Sequence, residues 1–328
     1  MNIGIIGLGL IGKKRAKYLG KGKLIAYADI LPASNITKEL KNIPFYSNWK
    51  DLVNNKEINL VIVATPNNLI YEISLECIKA NKHLLIEKPA GVNSNEILSL
   101  IKYSKEKNIK VHVGFNHRFH PSILKAKELV EQNKLGELMF IRGLYGHGGR
   151  LGYEKEWRAD PKISGGGEII DQGCHLIDLS RWFFKSEFET IQSSAKTYFW
   201  NMEVEDNGFM ILETKNKQTA FLHVSCTEWK NMFSLEIYGK DGKLKINGLG
   251  GSYGTEELIY YKMLPEMGPP ESKKWIFDGE DLSWQKEIDD FYNSILNDTE
   301  PSITLHDAQR SLEVIEKIYK DNQYDYNS

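Results

Sequence analysis

Short apolar runs punctuate the first third of the chain at residues 3–6, 24–29 (LIAYAD), 59–65 (NLVIVAT), 83–88 (HLLIEK) and 110–115 (KVHVGF). Their apolarity is continuous rather than alternating, the pattern of parallel strands covered on both faces. Helical patterns fill the intervals, which predicts strand–helix–strand units and an α/β sheet. From about residue 186 the texture changes. TIQSSAKTYF, DNGFMILETK, QTAFLHVSCTEW and FSLEIYGKDGKLKING read as strands joined by turns such as Lys240-Asp241-Gly242. These suit an antiparallel sheet.

Between the two textures lies GGGEIIDQGCHLIDLSRWFF, residues 165–184. It reads as a helix behind a glycine hinge. Asp171, His175 and Asp178 fall at i, i+4 and i+7, so a regular helix would carry all three on one face. A metal site, an acid/base pair and a hydrogen-bonded core are all compatible with that pattern. The preceding loop, residues 145–167, is rich in glycine and carries Arg150, Tyr153, Trp157 and Arg158. Long irregular segments of this kind often form lids or binding loops. Trp157 would cover a cofactor ring, Tyr153 would border the substrate, and Arg150 or Arg158 would hold a phosphate or carboxylate.

The chain has 328 residues, which at roughly 150 per domain predicts two domains. They are placed at residues 1–120 and 121–328. With 42 basic and 44 acidic residues the net charge is −2. No basic block points to nucleic acid or an anionic membrane surface. The three cysteines, Cys77, Cys174 and Cys226, are odd in number and widely spaced, which argues against a disulfide framework and for a reducing compartment. The apolar N-terminus has its basic residues after the run rather than before it, unlike a secretory signal. A cytoplasmic protein is expected.

Chemistry enters at Gly7-Leu8-Gly9-Leu10-Ile11-Gly12, a full G-x-G-x-x-G directly after the first strand. The first glycine permits the tight turn, the second admits a pyrophosphate, and the third lets helix and strand pack closely. The helix N-terminus then offers N–H groups and a positive dipole end to the phosphates. Asp29 closes the second strand, where an acid accepts hydrogen bonds from the adenosine ribose. Its charge repels a 2′-phosphate, and Ile30-Leu31-Pro32 supply no arginine to hold one, so NAD is favoured over NADP. Later strands end in Thr65-Pro66-Asn67, Glu87-Lys88-Pro89 and Asn116-His117-Arg118. Ligands of open α/β sheets bind at such strand ends, which makes these residues candidates to line the cofactor crevice, with Arg118 reaching the substrate.

Taken together, GLGLIG, ATPN, KHLLIEKP, GFNHRFHP and GGGEIIDQGCHLIDLSRWF resemble the glucose–fructose oxidoreductase, inositol dehydrogenase and rhizopine catabolism (Gfo/Idh/MocA) family. The resemblance runs from residue 1 to about 185 and resumes in ITLHDAQRSLEVIEKIY. It implies an N-terminal Rossmann domain and a C-terminal α+β domain with a large, mainly antiparallel open sheet, which often forms the oligomer interface. A homo-oligomer, dimer or tetramer, is therefore expected. The resemblance also implies an NAD(P)-dependent oxidoreductase acting on sugars, cyclitols or their derivatives. The family's E-K-P lysine falls on Lys88, its D-x-x-x-H pair on Asp171 and His175, and its strand-end T-P-N on Thr65-Pro66-Asn67. Many members place a histidine three residues after that asparagine; this chain has Ile70.

In this reading His175 takes the hydroxyl proton, its ordinary pKa suiting exchange near neutrality. Asp171 orients or stabilises the imidazole. Lys88 hydrogen-bonds the reacting oxygen. A metal would need three or four convergent ligands, and none is expected. Asp178 is expected to pair with Arg181 or cap local structure. The two loop arginines favour an anionic substrate: a sugar phosphate, nucleotide-linked sugar or uronate. Glu228, Trp229 and Trp284 are further candidates for a sugar platform. Two alternatives remain: a glycosidase that oxidises its substrate transiently, with Tyr153 or Tyr253 as a carbon base, and a non-enzymatic NAD(H) sensor.

Overall fold

A computed structural model describes residues 1–30 and 40–324. Leu31 and Pro32, part of the reading on NADP, lie outside the described residues. The chain forms two compact units, Met1–Phe115 with Trp284–Gln309 and Asn116–Ser283 with Arg310–Ser328. The expected first block of 1–120 thus ends a few residues earlier. A later segment of the expected second block returns to the first unit. The reason is visible in the core: Ile288, Phe291 and Tyr292 are buried with Ile3, Ile5, Leu60 and Ile62.

In the first unit, β1 (Asn2–Ile6), β2 (Lys23–Ala28), β3 (Phe45–Tyr46), β4 (Leu60–Val63), β5 (His83–Ile86) and β6 (Val111–Val113) form one parallel sheet in the order β3-β2-β1-β4-β5-β6. This is the doubly wound order, with its switch between β1 and β4. Leu60–Val63 are buried throughout, as continuous apolarity requires when helices cover both faces. Helices α1 (Leu10–Lys17), α2 (Trp49–Asn54), α3 (Asn67–Lys79) and α4 (Ser94–Glu106) make the crossovers. Ile70 is fully buried on α3.

In the second unit, α5 (Pro121–Glu131) leads into β7 (Leu138–Gly146), and α6 (Pro161–Ser164) precedes α7 (Cys174–Phe184). Strands β8 (Phe188–Lys196), β9 (Asn207–Thr214), β10 (Thr219–Ser225), β11 (Met232–Gly239), β12 (Gly242–Asn247), β13 (Glu256–Lys262) and β14 (Glu271–Phe277) follow. The order is β14-β13-β12-β11-β7-β10-β9-β8. All pairings are antiparallel except β7 with β10. One face of the sheet carries α7, whose Leu176 packs where a side chain at Gly143 of β7 would stand. The other face stays open: Ile211 and Phe221, paired across β9 and β10, are 43% and 49% exposed. Helices α8 (Ser283–Leu296) and α9 (Leu305–Asp321) close the chain.

Candidate active site

The glycine turn has the shape the spacing implies. Gly7 adopts φ +88°, and a Cβ there would collide with the Ala64 carbonyl. A Cβ at Gly12 would collide with the Gly7 carbonyl, so β1 and α1 pack too closely for any side chain. At Gly9 the opposite holds: nothing lies within 4 Å of the Cβ position. Gly9 is also the N-cap of α1 and provides no side-chain cap, so the turn from Leu10 through Ile11 to Gly12 begins uncapped. Open space in front of an uncapped helix start fits a pyrophosphate.

Asp29 follows β2 directly, and its Oδ2 accepts the Leu8 N–H at 2.6 Å. The acid and the glycine turn are therefore tied together. Across the switch point, Thr65 leads to Pro66, the N-cap of α3, and to Asn67, its first residue. The Thr65 Oγ1 is buried without a hydrogen-bond partner, an unmet polar group of the kind a ligand satisfies.

The residues after β5 divide in role. Lys88 is half-buried and joined to Pro89 by a cis peptide bond. Glu87, expected at the cofactor, is instead buried against Arg15, whose Nε donates to Oε1 at 2.5 Å. Arg15 also bonds Glu287 of α8 and stacks on Trp284. Burial raises the Glu87 carboxyl above its ordinary range despite the arginine beside it. Trp284 is thus part of the first unit's core and not a sugar platform.

In the second unit the GGGEIIDQGCH segment departs from a regular helix. Ile169–Gly173 form a π-helical turn, and α7 begins only at Cys174. Asp171 falls within the π turn, while His175 and Asp178 lie one turn apart on α7, and each of the three finds a different partner. Asp171 Oδ2 accepts from Arg158 Nε at 3.3 Å. Asp178 receives two bonds from Arg118, at 2.8 and 2.5 Å, rather than pairing with Arg181, which binds Glu187. His175 packs its ring on His117, with centroids 3.8 Å apart, and near Tyr145.

Several expected site residues are committed elsewhere. Arg118, 5% exposed, holds the 1%-exposed Asp178 and so is structural rather than substrate-facing. Tyr153, also buried, donates its hydroxyl to Glu168 at 2.8 Å. Burial, first, and Glu168 push the Tyr153 phenol far above its ordinary range, and its hydroxyl is already committed as a donor to Glu168. Asn116 donates to Ser283 Oγ at 3.2 Å. Trp157 lies under the Arg158 guanidinium, 4.4 Å from it, and Arg150 pairs with Glu156. Both loop arginines therefore face acids, which removes the reason for favouring an anionic substrate.

The structure also reveals groups the sequence reading passed over. His117 links His175 to His120 through ring contacts, and His120 Nδ1 lies 3.2 Å from Glu256 Oε2. His147 lies 3.5 Å from Glu168. Burial alone would lower the His147 imidazole, but Glu168 outweighs it and holds it above its ordinary value. His117 was read only as part of the strand-end tripeptide Asn116-His117-Arg118, and His120 of the same GFNHRFHP stretch was a visible signal without an assigned role. Among the described residues no group of three His, Cys, Asp or Glu side chains is arranged to hold a metal ion. Among them, too, no helix is long and apolar enough to cross a membrane.

A dinucleotide turn on a doubly wound sheet, joined in one chain to an open-sheet domain, defines the class. A family profile described as "Oxidoreductase family, NAD-binding Rossmann fold" matches residues 1–115, and one for the "GFO/IDH/MocA C-terminal domain" matches 123–245. The chain belongs to the Gfo/Idh/MocA family. It is 28% identical to levoglucosan dehydrogenase of Pseudarthrobacter phenanthrenivorans over 65% of this chain, a match spanning only 58% of that protein. It is 27% identical to glucose-6-phosphate 3-dehydrogenase of Bacillus subtilis over 97% of this chain and 95% of that one. A solved levoglucosan dehydrogenase in complex with NADH and levoglucosan shares the fold, with TM-score 0.86 and 20% identity over 98% of this chain and 97% of that chain.

Proposed function

We propose that the protein is an NAD-dependent dehydrogenase moving hydride between the nicotinamide and a secondary hydroxyl of a sugar, sugar derivative or cyclitol. One observation carries the reading: a G-x-G-x-x-G turn hydrogen-bonded to the strand-end Asp29 occurs in the same chain as the buried His175 and its Arg158-paired neighbour Asp171. Levoglucosan dehydrogenase and glucose-6-phosphate 3-dehydrogenase, by their names, act on sugars. Gly7, Gly9, Gly12, Asp29 and Thr65 would hold the dinucleotide, and a bound nicotinamide would supply the hydride acceptor. His175 removes the hydroxyl proton. Lys88 donates a hydrogen bond to the same oxygen and stabilises the charge that develops there. Asp171, held by Arg158, sets the electrostatics of the helix that presents His175.

NAD is favoured over NADP because the Asp29 carboxylate stands where a 2′-phosphate would be repelled. A neutral polyol is favoured over an anion because Arg150 and Arg158 already face carboxylates. The open face of the second sheet supports a homo-oligomer. It mixes Ile211 and Phe221 with Arg142, Glu236 and Lys243, both signs of charge on one surface, which a second copy can complement. The glycosidase alternative loses Tyr153 as its base.

A panel of free polyols, anhydrosugars, sugar phosphates, nucleotide sugars, uronates and glycosides, incubated with NAD, tests the reading. NADH formation with a neutral polyol is expected. Glycoside cleavage without net NADH, or turnover of anions alone, would overturn it.

A further inference from the structure

The start of a helix leaves backbone N–H groups without intrahelical partners, and a nearby Ser, Thr, Asp or Asn usually caps them. The π turn that carries Asp171 has no such local cap. Two side chains remote in sequence replace it. Glu205 Oε2 accepts the Gly167 N–H at 3.0 Å, and its Oε1 accepts the Ile169 N–H at 2.9 Å and the Tyr319 hydroxyl at 2.8 Å. The Tyr319 oxygen in turn accepts the Ile170 N–H at 3.2 Å. Glu205 and Ile169 are 36 positions apart, Tyr319 and Ile170 149.

The glycines of GGGEIID are explained by the same arrangement. A Cβ at Gly166 would collide with the Tyr319 hydroxyl, and one at Gly167 with the Glu205 backbone oxygen. Gly166 also has φ +149°. These two glycines thus make room for the two side chains of this clamp.

We propose that Glu205 and Tyr319 are positioning residues that fix the π turn bearing Asp171 and the start of the helix bearing His175. Sustained π geometry is rare and needs outside support, and here three consecutive-turn amides are held by one carboxylate and one phenol. Only the kinetic consequence rests on the dehydrogenase reading; the clamp itself is measurable without turnover. Glu205 accepts three donors, each held more strongly by an ionised carboxylate than by a protonated one. Burial pushes its pKa up to about 7, against the pull of the two amides and Tyr319. The clamp is therefore complete above neutrality and weakened as pH falls through that value.

The test compares wild type with Glu205→Gln, Glu205→Asp and Tyr319→Phe as full-length proteins. Amide exchange at Gly167, Ile169 and Ile170 is expected to quicken at least about tenfold in Glu205→Gln and Tyr319→Phe. Turnover is expected to fall roughly 10- to 100-fold with NAD affinity unchanged, the size of effect a misplacement of about 1 Å produces. The acid limb of the kcat profile, to which His175 also contributes, should become shallower in Glu205→Gln and recover in part in Glu205→Asp. If Glu205→Gln does not fold, Tyr319→Phe carries the same test with the ring retained. Wild-type exchange at those amides would overturn the proposal, as would fast exchange with unchanged kcat and acid limb. If wild type oxidises no polyol, the dehydrogenase reading falls and the exchange measurement alone decides the clamp.

Discussion

Arg158 donates its Nε–H to Asp171 at 3.3 Å, so the acid of the D-x-x-x-H pair is matched to a guanidinium before any substrate arrives. The loop that carries Arg158 and the turn that carries Asp171 thereby act as one unit, and a change at either should be felt at the other. Arg158→Ala and Asp171→Asn are each expected to lower kcat/KM. The double variant is expected to lose less than the sum, with a coupling above about 0.5 kcal/mol. Strictly additive losses would show that the two act independently.

The buried pair Arg118–Asp178 is a stability element. Removing one partner strands a charge in a dry environment, so Arg118→Ala should destabilise the protein by roughly 3–5 kcal/mol in denaturant unfolding. Arg118→Met with Asp178→Leu should cost much less, since apolar residues of similar volume can replace a buried pair. A mild effect of Arg118→Ala together with a large rise in KM for the sugar would return Arg118 to the substrate site.

Glu205 should leave a mark on stability as well as rate. Its folded pKa, about 7, lies above its ordinary 4.5, so the cost of burying its charge lowers global stability as pH rises from 4.5 through 7, even though the ionised carboxylate holds the amides of the turn more strongly. The loss is on the order of 3 kcal/mol. Glu205→Gln should flatten the stability profile across that window; an unchanged slope would place the titration elsewhere.

Asp29 should govern cofactor choice. Asp29→Asn keeps an acceptor for the Leu8 amide and removes the charge. The ratio of kcat/KM with NADP to that with NAD should rise at least about tenfold, the value of roughly 1.4 kcal/mol. An unchanged ratio would mean that other groups set the preference.

The open sheet face gives a test of assembly. Phe221→Glu or Ile211→Lys puts a charge into a half-exposed apolar row and should dissociate the proposed homo-oligomer in sedimentation analysis, leaving the fold intact. A monomeric wild type would remove the proposed interface.

Much of the first unit was legible because its signals are local. Continuous apolar runs name buried parallel strands, and Gly7, Gly9, Gly12 and Asp29 sit at short, fixed spacings. The second unit was read less fully. Its strands alternate as antiparallel strands do, but β7 ends inside the stretch read as a loop, and its parallel partner β10 lies far along the chain. The hinge was legible as a site and not as a geometry. Asp171, His175 and Asp178 stand at helical spacing, yet Asp171 falls in a π turn ahead of the regular helix, and spacing carries no mark of it. Their partners are long-range: Arg118 is 60 positions from Asp178. The glycines read as a hinge prove to make room for Tyr319 and Glu205, a contact no local pattern contains.

The most direct test of the central claim is hydride transfer, measured in a single turnover with NAD and the best polyol of the panel, in Lys88→Met and His175→Gln. Both variants are expected to bind NAD as wild type does and to transfer hydride at least about a hundredfold more slowly, the value of a positioned proton-transfer group. Wild-type transfer rates in both would contradict the assignment of Lys88 and His175 to the reaction.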